Sequence, residues 1–440
     1  MLQTLVNALK TPELRKKILY TAMIILIFRI GAAISVPFTN AAQGIIDDTT
    51  SAGNFMNYLN MMTGDAFNYS TLFAMSITPY INASIIMQLL GVAIPALERL
   101  SKEGDVGRKK LQRITRVVAV IIAALQSTAY FFYLRSGGYL AMDANGLAFT
   151  GFSAVLQALV VIITLIAGSA IMMWLGEQIN AKGIGNGISI LLFAGIVSRI
   201  PQDVIMMWEA FKRGGLYYAY APLAAILIIA SILFIVWVDN SERRIPVYAK
   251  RVVGRKMYGG QNTNLPIKVN ISGVMSIIFA SSILSLPPTI RMFVDSKIED
   301  GSVWDNFFSM FDAERWFYGI MYFILIIFFA YFYSSIQYNP VEMANNLRRN
   351  NGTIPGIRPG KPTSEYLQKV LNRIVLIGSL LISIVAILPI VYSQITNATG
   401  SQMNIALGGT SVIILVGVAL ETVRQLESQL MVRQYKGFLS

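Results

Sequence analysis

Cysteine and histidine are both missing from the 440 residues. Their absence excludes disulfides, thiol nucleophiles, Cys/His metal sites and imidazole acid–base chemistry. Charge is also scarce. Asp, Glu, Lys and Arg make up 13% of the chain, against roughly 25% in an average soluble protein. What charge there is leans basic, 36 Lys and Arg against 23 Asp and Glu, a net +13. Apolar residues dominate instead, at 55%, with a mean hydropathy of +0.57. A soluble domain could not bury that much apolar surface, so the composition places the chain in a membrane.

Phosphate-binding loops are missing as well. The nearest approach, Gly356-Ile-Arg-Pro-Gly360-Lys361-Pro362, lacks the glycine spacing of a P-loop and ends in proline instead of Ser or Thr. The glycines at 183–187 follow an apolar helix and not a strand, so they do not make a dinucleotide site.

A bilayer-crossing helix needs about 20 apolar residues. Ten segments qualify as candidates: 18–36, 76–97, 115–134, 154–175, 185–200, 222–238, 271–289, 316–337, 373–391 and 408–426. The fifth is the shortest and is opened by Gly183, Gly185 and Gly187. The first is longer than the roughly 7–15 apolar residues of a signal-peptide core and reads as a retained helix. With the N-terminus in the cytoplasm and strict alternation, 28 of the 36 basic residues fall on inside segments. That asymmetry obeys the positive-inside rule and puts both termini in the cytoplasm.

Ten spans divide into two halves of five, residues 1–200 and 201–440. An odd number per half makes the halves inverted, and inverted repeats place a pathway at their interface. Gly- or Pro-opened helices in matching positions mark it: Thr78-Pro79 opens the second span, Gly183–Gly187 the fifth, Gly273 and a run of serines the seventh, and Gly408-Gly409-Thr410 the tenth. Upstream of Pro79, the stretch Ala66–Ser76 is too short to span. It is either a half-helix buried in protein or lining a wet cavity, or an amphipathic external loop.

Mid-span carboxylates are nearly absent, so the spans offer no proton or sodium relay of the kind ion-coupled transporters use. Arg29 near the outer end of span one, and Glu421 and Arg424 at the inner end of span ten, read as structural. Energy for movement must then come from a partner. The basic inside loops 239–270 and 338–372 are its natural docking surfaces, although ordinary positive-inside bias gives the same charge. A solute transporter lacks its coupling residues here, and a membrane enzyme lacks a nucleophile with its base. A scaffold for other membrane proteins fits poorly with interrupted helices.

Several long stretches resemble the SecY family of protein-translocation channels: Phe28-Arg29-Ile30-Gly31; Ile77-Thr-Pro-Tyr-Ile-Asn-Ala-Ser-Ile-Ile-Met-Gln-Leu-Leu90; Lys102-Glu-Gly-Asp-Val-Gly-Arg-Lys-Lys110; and Trp174-Leu-Gly-Glu-Gln-Ile179. Others follow in the same order: Gly183-Ile-Gly-Asn-Gly-Ile-Ser189; Arg243-Arg244-Ile245-Pro246; Leu265-Pro-Ile-Lys-Val-Asn270; Phe279-Ala-Ser-Ser282; Pro355-Gly-Ile-Arg-Pro-Gly360; and Gly408-Gly-Thr-Ser411. The resemblance implies an all-α membrane fold of two five-helix halves around a pore. It implies a bacterial plasma-membrane location, no cofactor and no catalytic activity of its own.

By the same resemblance, the pore waist would be a ring of Ile77, Ile81, Ile188, Leu192, Ile278 and Ile414, with Ile184 just beside it. Residues of about 64–73, including Asp65, Phe67 and Leu72, would form a plug. Spans two and seven would form a lateral gate for signal sequences and membrane segments entering lipid, with Asn82, Gln88, Gln126, Ser281 and Ser282 along its seam. The implied partners are the SecE and SecG subunits, the SecA motor ATPase, the ribosome and preproteins with their signal sequences. Arg358, Lys250 and Arg251 would take the motor or ribosome. Three places depart from the family pattern: Thr63-Gly64-Asp65 replaces a glycine-rich plug start, Ser276 stands where proline is common, and Ser35 stands where a first proline is often found.

Overall fold

The computed structural model describes residues 10–40, 60, 63–142, 149, 151–215, 217–249, 251–253, 256–258, 262–294, 302–311, 315–350, 352–398 and 409–436. Helices dominate. In chain order they are α1 (Pro12–Gly31), α2 (Thr78–Ala93), α3 (Pro95–Lys102), α4 (Asp105–Ser136), α5 (Phe152–Lys182), α6 (Gly187–Arg213) and α7 (Tyr217–Asn240). Then come α8 (Met275–Leu284), α9 (Leu286–Val294), α10 (Val303–Ser309), α11 (Trp316–Gln337), α12 (Pro340–Arg349), α13 (Lys361–Ala398) and α14 (Gly409–Lys436). Among the described residues, seven helical spans are long and apolar enough to cross a bilayer, or eight if the bent α2–α3 pair counts as one.

Each of the ten apolar segments falls on helix, with four physical adjustments. Helix α1 starts early, at Pro12, and so includes Glu13, Arg15, Lys16 and Lys17 at its polar entry. Helix α2 stops at Ala93 and the chain turns by 107° into α3. Pro95 forces this, since it offers no N–H to continue α2 and holds Ile94 extended at φ −108°, ψ 113°. The seventh segment is divided at Ser285 into α8 and α9, and Pro287 and Pro288 stand in the first turn of α9. Helix α6 is longer than the fifth segment, 27 residues with Pro201 inside it. Its N-terminus is set by Asn186, whose side chain accepts from Ile188 N–H.

The all-α expectation needs one correction. The inside loop 239–270 carries strands β1 (Glu242–Ala249), β2 (Arg251–Val253), β3 (Lys256–Tyr258) and β4 (Asn262–Lys268), and β5 (Gly352–Thr353) comes from the second inside loop. Strand order is β4-β1-β5, antiparallel, with Glu242 opposite Lys268 and Tyr248 opposite both Asn262 and Thr353. The period-2 signal was present: Ile245 and Val247 point inward while Arg244, Pro246 and Tyr248 face solvent. Ile245, Val247 and Ile267 pack with Ala344 of α12, Ile354, and Leu367 and Leu371 of α13. The two basic loops are therefore one folded unit at the N-terminal end of α13. Lys250 lies outside the described residues, and Arg251 is described only as backbone on β2.

Polar residues fasten the inner helix ends. Arg424 on α14 pairs with Asp239 at 3.1 Å and donates to the Asp239 carbonyl and to Asn240 Oδ1, both at 2.9 Å. Asn270 donates to the same Asp239 carboxylate. Arg424 thus has the structural role its position suggested, joining α7, the end of β4 and α14.

Leu367 is fully enclosed under the sheet. Leu367→Ala should destabilise the inner unit by about 2–5 kcal/mol, the usual range for such a truncation. The check is a lowered thermal midpoint in detergent; an unchanged midpoint would show the sheet does not depend on this contact.

Candidate functional site: an aliphatic centre and the segment folded against it

The helix core converges on one apolar cluster. Ile77 before α2, Ile81 on α2, Leu192 on α6, Ile278 on α8 and Ile414 on α14 are all buried members of it. Ile188 on α6 is half-buried and packs against the same cluster. The approach is close because α5 carries Gly176, where a Cβ would touch Ile77 Cδ1 at 3.4 Å and Ile188 Cγ1 at 3.7 Å. All six expected positions are brought together. Ile184 is not among them: it sits in a separate small cluster with Leu14 and Leu426.

Against this centre lies the stretch 63–77. It is not a half-helix. Apart from Thr63 at its start and the isolated bridge at Thr71, it is a run of turns, broken by left-handed backbone at Gly64, Asp65, Ser70 and Ser76. Its backbone bonds are found across the bundle. Val36 N–H donates to Ser70 O and Leu72 N–H to Ile34 O, each at 2.8 Å, and Ser35 bridges Thr71. Tyr130 of α4 donates to Phe67 O at 2.7 Å, and its hydroxyl shares a hydrogen bond with Ser70 Oγ at 2.7 Å. Asn60 Oδ1 accepts from Asn68 N–H.

Side chains divide the stretch into two contacts. Phe73 is buried in the aliphatic centre and stacks on Phe28 with ring centroids 6.1 Å apart, and Leu72 packs against the same centre. Phe67 turns the other way, into a second cluster where it meets Tyr130 at 4.6 Å. The Leu72 carbonyl lies on Gly168 of α5, where any Cβ would collide with it.

Asp65 is engaged. Arg199 of α6 approaches its Oδ1 at 3.4 Å and also pairs with Asp203 at 3.4 Å. Arg29 donates to Ser198 Oγ at 2.8 Å and approaches Gly64 O at 3.5 Å. Sequence reading missed Arg199, Asp203, Ser198 and Tyr130. The signal for two of them was an Arg and an Asp one helical turn apart in an otherwise apolar helix.

The expected seam residues spread along one side of the site. Asn82 is buried with its Oδ1 lacking a hydrogen-bond partner among the described residues. Gln88 donates to Ser84 Oγ at 3.4 Å, one turn earlier in the same helix. Ser281 is buried and bonds its own helix at Ile278 O, and Ser282 O accepts from Ser285 Oγ. Gln126 lines a small cleft between Thr63, Phe67 and Met75 of the turn segment, Thr78 of α2, Tyr130 of α4, and Ser285 and Thr289 at the start of α9. Arg358 is far from all of these. It is exposed on a turn of the inner unit, just after Ile357 N–H closes on Ile354 O with Pro355 and Gly356 (φ +77°) at the corner.

Long apolar helices around an aliphatic centre, with one turn-built segment folded among them, put the chain with the protein-conducting membrane channels. A solved protein-conducting channel superposes with a TM-score of 0.62 at 20% identity, covering 94% of this chain and 92% of that one. Sec61 from the canine ribosome–channel complex of the endoplasmic reticulum superposes at 0.60 with 18% identity, again over 94% and 92%. The SecY family model matches residues 71–423. The protein translocase subunit SecY of Mycobacterium bovis is 43% identical over 448 residues, and that of Streptomyces scabiei 42% over 444, each across the full length of both chains. The chain belongs to the SecY family, multi-pass membrane proteins that form the channel subunit of the protein translocase.

Gly168→Val would press a branched side chain into the Leu72 carbonyl. We expect it to displace the turn segment at a cost of about 1–3 kcal/mol, the range for overpacking, and to raise ion leakage of the reconstituted channel. Leakage equal to the parent would remove this contact from the closed state.

Proposed function

We propose that this chain passes unfolded preproteins across a bacterial plasma membrane and releases hydrophobic segments sideways into lipid, driven by an external motor or by the ribosome. The observation that carries the reading is the meeting of Ile77, Ile81, Ile188, Leu192, Ile278 and Ile414 in one cluster from the beginnings of four helices. An aliphatic constriction dewets and blocks ions, yet forms no strong bond to a sliding chain. In this reading the cluster is the waist, and 64–73 is the plug above it. One of the similar solved structures is described by a SecY plug domain that stabilises the closed state and maintains a membrane seal.

The architecture in this reading is ten spans in two inverted halves, 1–200 and 201–440, with both termini cytoplasmic. Its support is pairwise: a glycine begins α6 at Gly187 and α14 at Gly409, while α2 and the α8–α9 pair face the cleft from opposite halves. That cleft, with Gln126 in its wall, is the lateral gate for signal sequences, and Asn82, Gln88, Ser281 and Ser282 lie along the two helices that part. A buried amide with an idle acceptor, as at Asn82, weakens a seam that must open.

The folded inner unit receives the driving partner. Arg358 stands exposed on a rigid turn beside the sheet, where a guanidinium can take a partner carboxylate or an RNA phosphate in bidentate fashion. By the resemblance, Lys250 and Arg251 would take part in the same docking. Channels of this fold have been solved on ribosomes, and SecA, SecE and SecG complete the bacterial assembly.

The reading is tested in proteoliposomes containing this chain, SecE, SecA and ATP, by protease protection of an added preprotein. ATP-dependent protection that disappears without SecA is the expected result; none from correctly inserted protein overturns it. Arg358→Glu should cut protection about tenfold or more, as loss of a buried charge-paired contact does at interfaces, while leaving insertion intact. Ile278→Asn or Ile414→Asn should raise ion current in planar bilayers, and an unchanged current would exclude these residues from the seal.

A further inference from the structure

The turn segment is held by charge as well as by packing. Asp65, Arg199 and Asp203 form a chain of ion pairs whose side chains are 17%, 8% and 4% exposed. Arg199 meets Asp65 through Nη1 and Asp203 through Nε. Asp203 Oδ2 is buried without any hydrogen-bond donor among the described residues, and Arg199 Nη1 has no partner beyond its pairing with Asp65. The cluster therefore has one carboxylate oxygen idle.

The three groups do not move together. Arg199 and Asp203 lie one turn apart on α6, whereas Asp65 belongs to the segment. Asp65 also carries its own donor, since Asn60 Nδ2 bonds its Oδ1 at 2.8 Å. If the segment leaves, Asp65 departs with Asn60 toward water, while Arg199 stays buried. A buried guanidinium that loses a counter-ion is disfavoured. Asp203, already paired with Arg199 through Oδ1, can offset that loss by accepting a second N–H at Oδ2 and turning a side-on contact into a two-point pair.

We propose that these residues are an exchangeable latch: Arg199–Asp65 holds the segment shut, and Asp203 takes Arg199 over when the segment leaves. Asp65 and Asp203 then act in opposite directions on the same opening. The first stabilises the closed form, and the second stabilises what remains after opening. Arg29, through Ser198 and Gly64 O, is a fixed second tie with no such exchange. The latch rests on the reading of 64–73 as the plug.

The lack of cysteine allows a direct test. Ala66→Cys, at a position 1% exposed, gives the chain a single thiol on the buried side of the segment. Its labelling by a water-soluble maleimide in proteoliposomes with SecE then reports opening, read alongside ion leakage. Asp65→Asn should raise both by about tenfold, less than the full effect of orphaning a buried charge because Asp203 still pairs with Arg199. Asp203→Asn should lower both below the parent, and Asp203→Glu should return them toward it. A rise in both readouts for both Asn variants means a merely structural cluster and overturns the latch. No change with Asp65→Asn overturns it too. Deletion of 65–70 separates the two readings: leakage that does not rise removes the plug itself, whereas a leaking deletion with parallel Asn effects removes only the latch.

Discussion

Lipid offers no hydrogen bonds, so any backbone that leaves the helix at membrane depth must find its partners in protein. The stretch 63–77 is where this chain meets that constraint. Left-handed residues at Asp65, Ser70 and Ser76 prevent a helix from satisfying it internally. Its carbonyls and N–H groups are answered by the chain after α1, by Tyr130 of α4 and by its own turns. Those elements are in turn placed by the apolar faces they bury. The helix bundle exists partly to solvate a segment that could not survive in lipid, and the segment in return fills the space the helices enclose.

The same constraint sorts the polar residues. Side chains that bond their own helix, such as Thr115, Thr164 and Ser383, need no partner and are scattered through the spans. Among the described residues, ion pairs fasten one element to another: Arg424–Asp239 joins α14 to α7, Arg116–Glu177 joins α4 to α5, and Arg199–Asp65 joins α6 to the turn segment. The buried centre where the helices converge is aliphatic. A seal needs surfaces that repel water and ions; a fastening needs directional bonds. The structure keeps the two in separate places, so neither compromises the other.

What could be read from sequence follows this division. Apolar length located a helix for each of the ten segments, because burial in lipid is a bulk property of a run of residues. The six ring positions came from the family resemblance, whereas the meeting of α2, α6, α8 and α14 in one apolar cluster was legible in their Gly- and Pro-marked starts. The end of α2 at Ala93 was not, although Pro95 was in plain view, because continuing hydrophobicity outweighed one proline in a span-length window. The sheet was hidden by its charge: Arg243 and Arg244 read as docking surface, while Ile245 and Val247 between and beyond them form the apolar face. The turn segment's apolar composition left a half-helix and an external loop both open, because composition does not report φ.

Arg199 shows why pairwise chemistry is harder to foresee than burial. On its own it is a cation at the end of an apolar run, where snorkelling is the expected behaviour. Only the three-dimensional neighbours change that reading, since Asp65 is more than a hundred residues away in sequence and Asp203 is one turn along the helix. A permanent tie would be best made from one fully satisfied pair. The arrangement found is different: two carboxylates share one guanidinium, and one oxygen is left idle. An under-satisfied buried cluster is a poor way to gain stability. It is a reasonable way to keep two arrangements close in free energy, which a channel that must both seal and open requires.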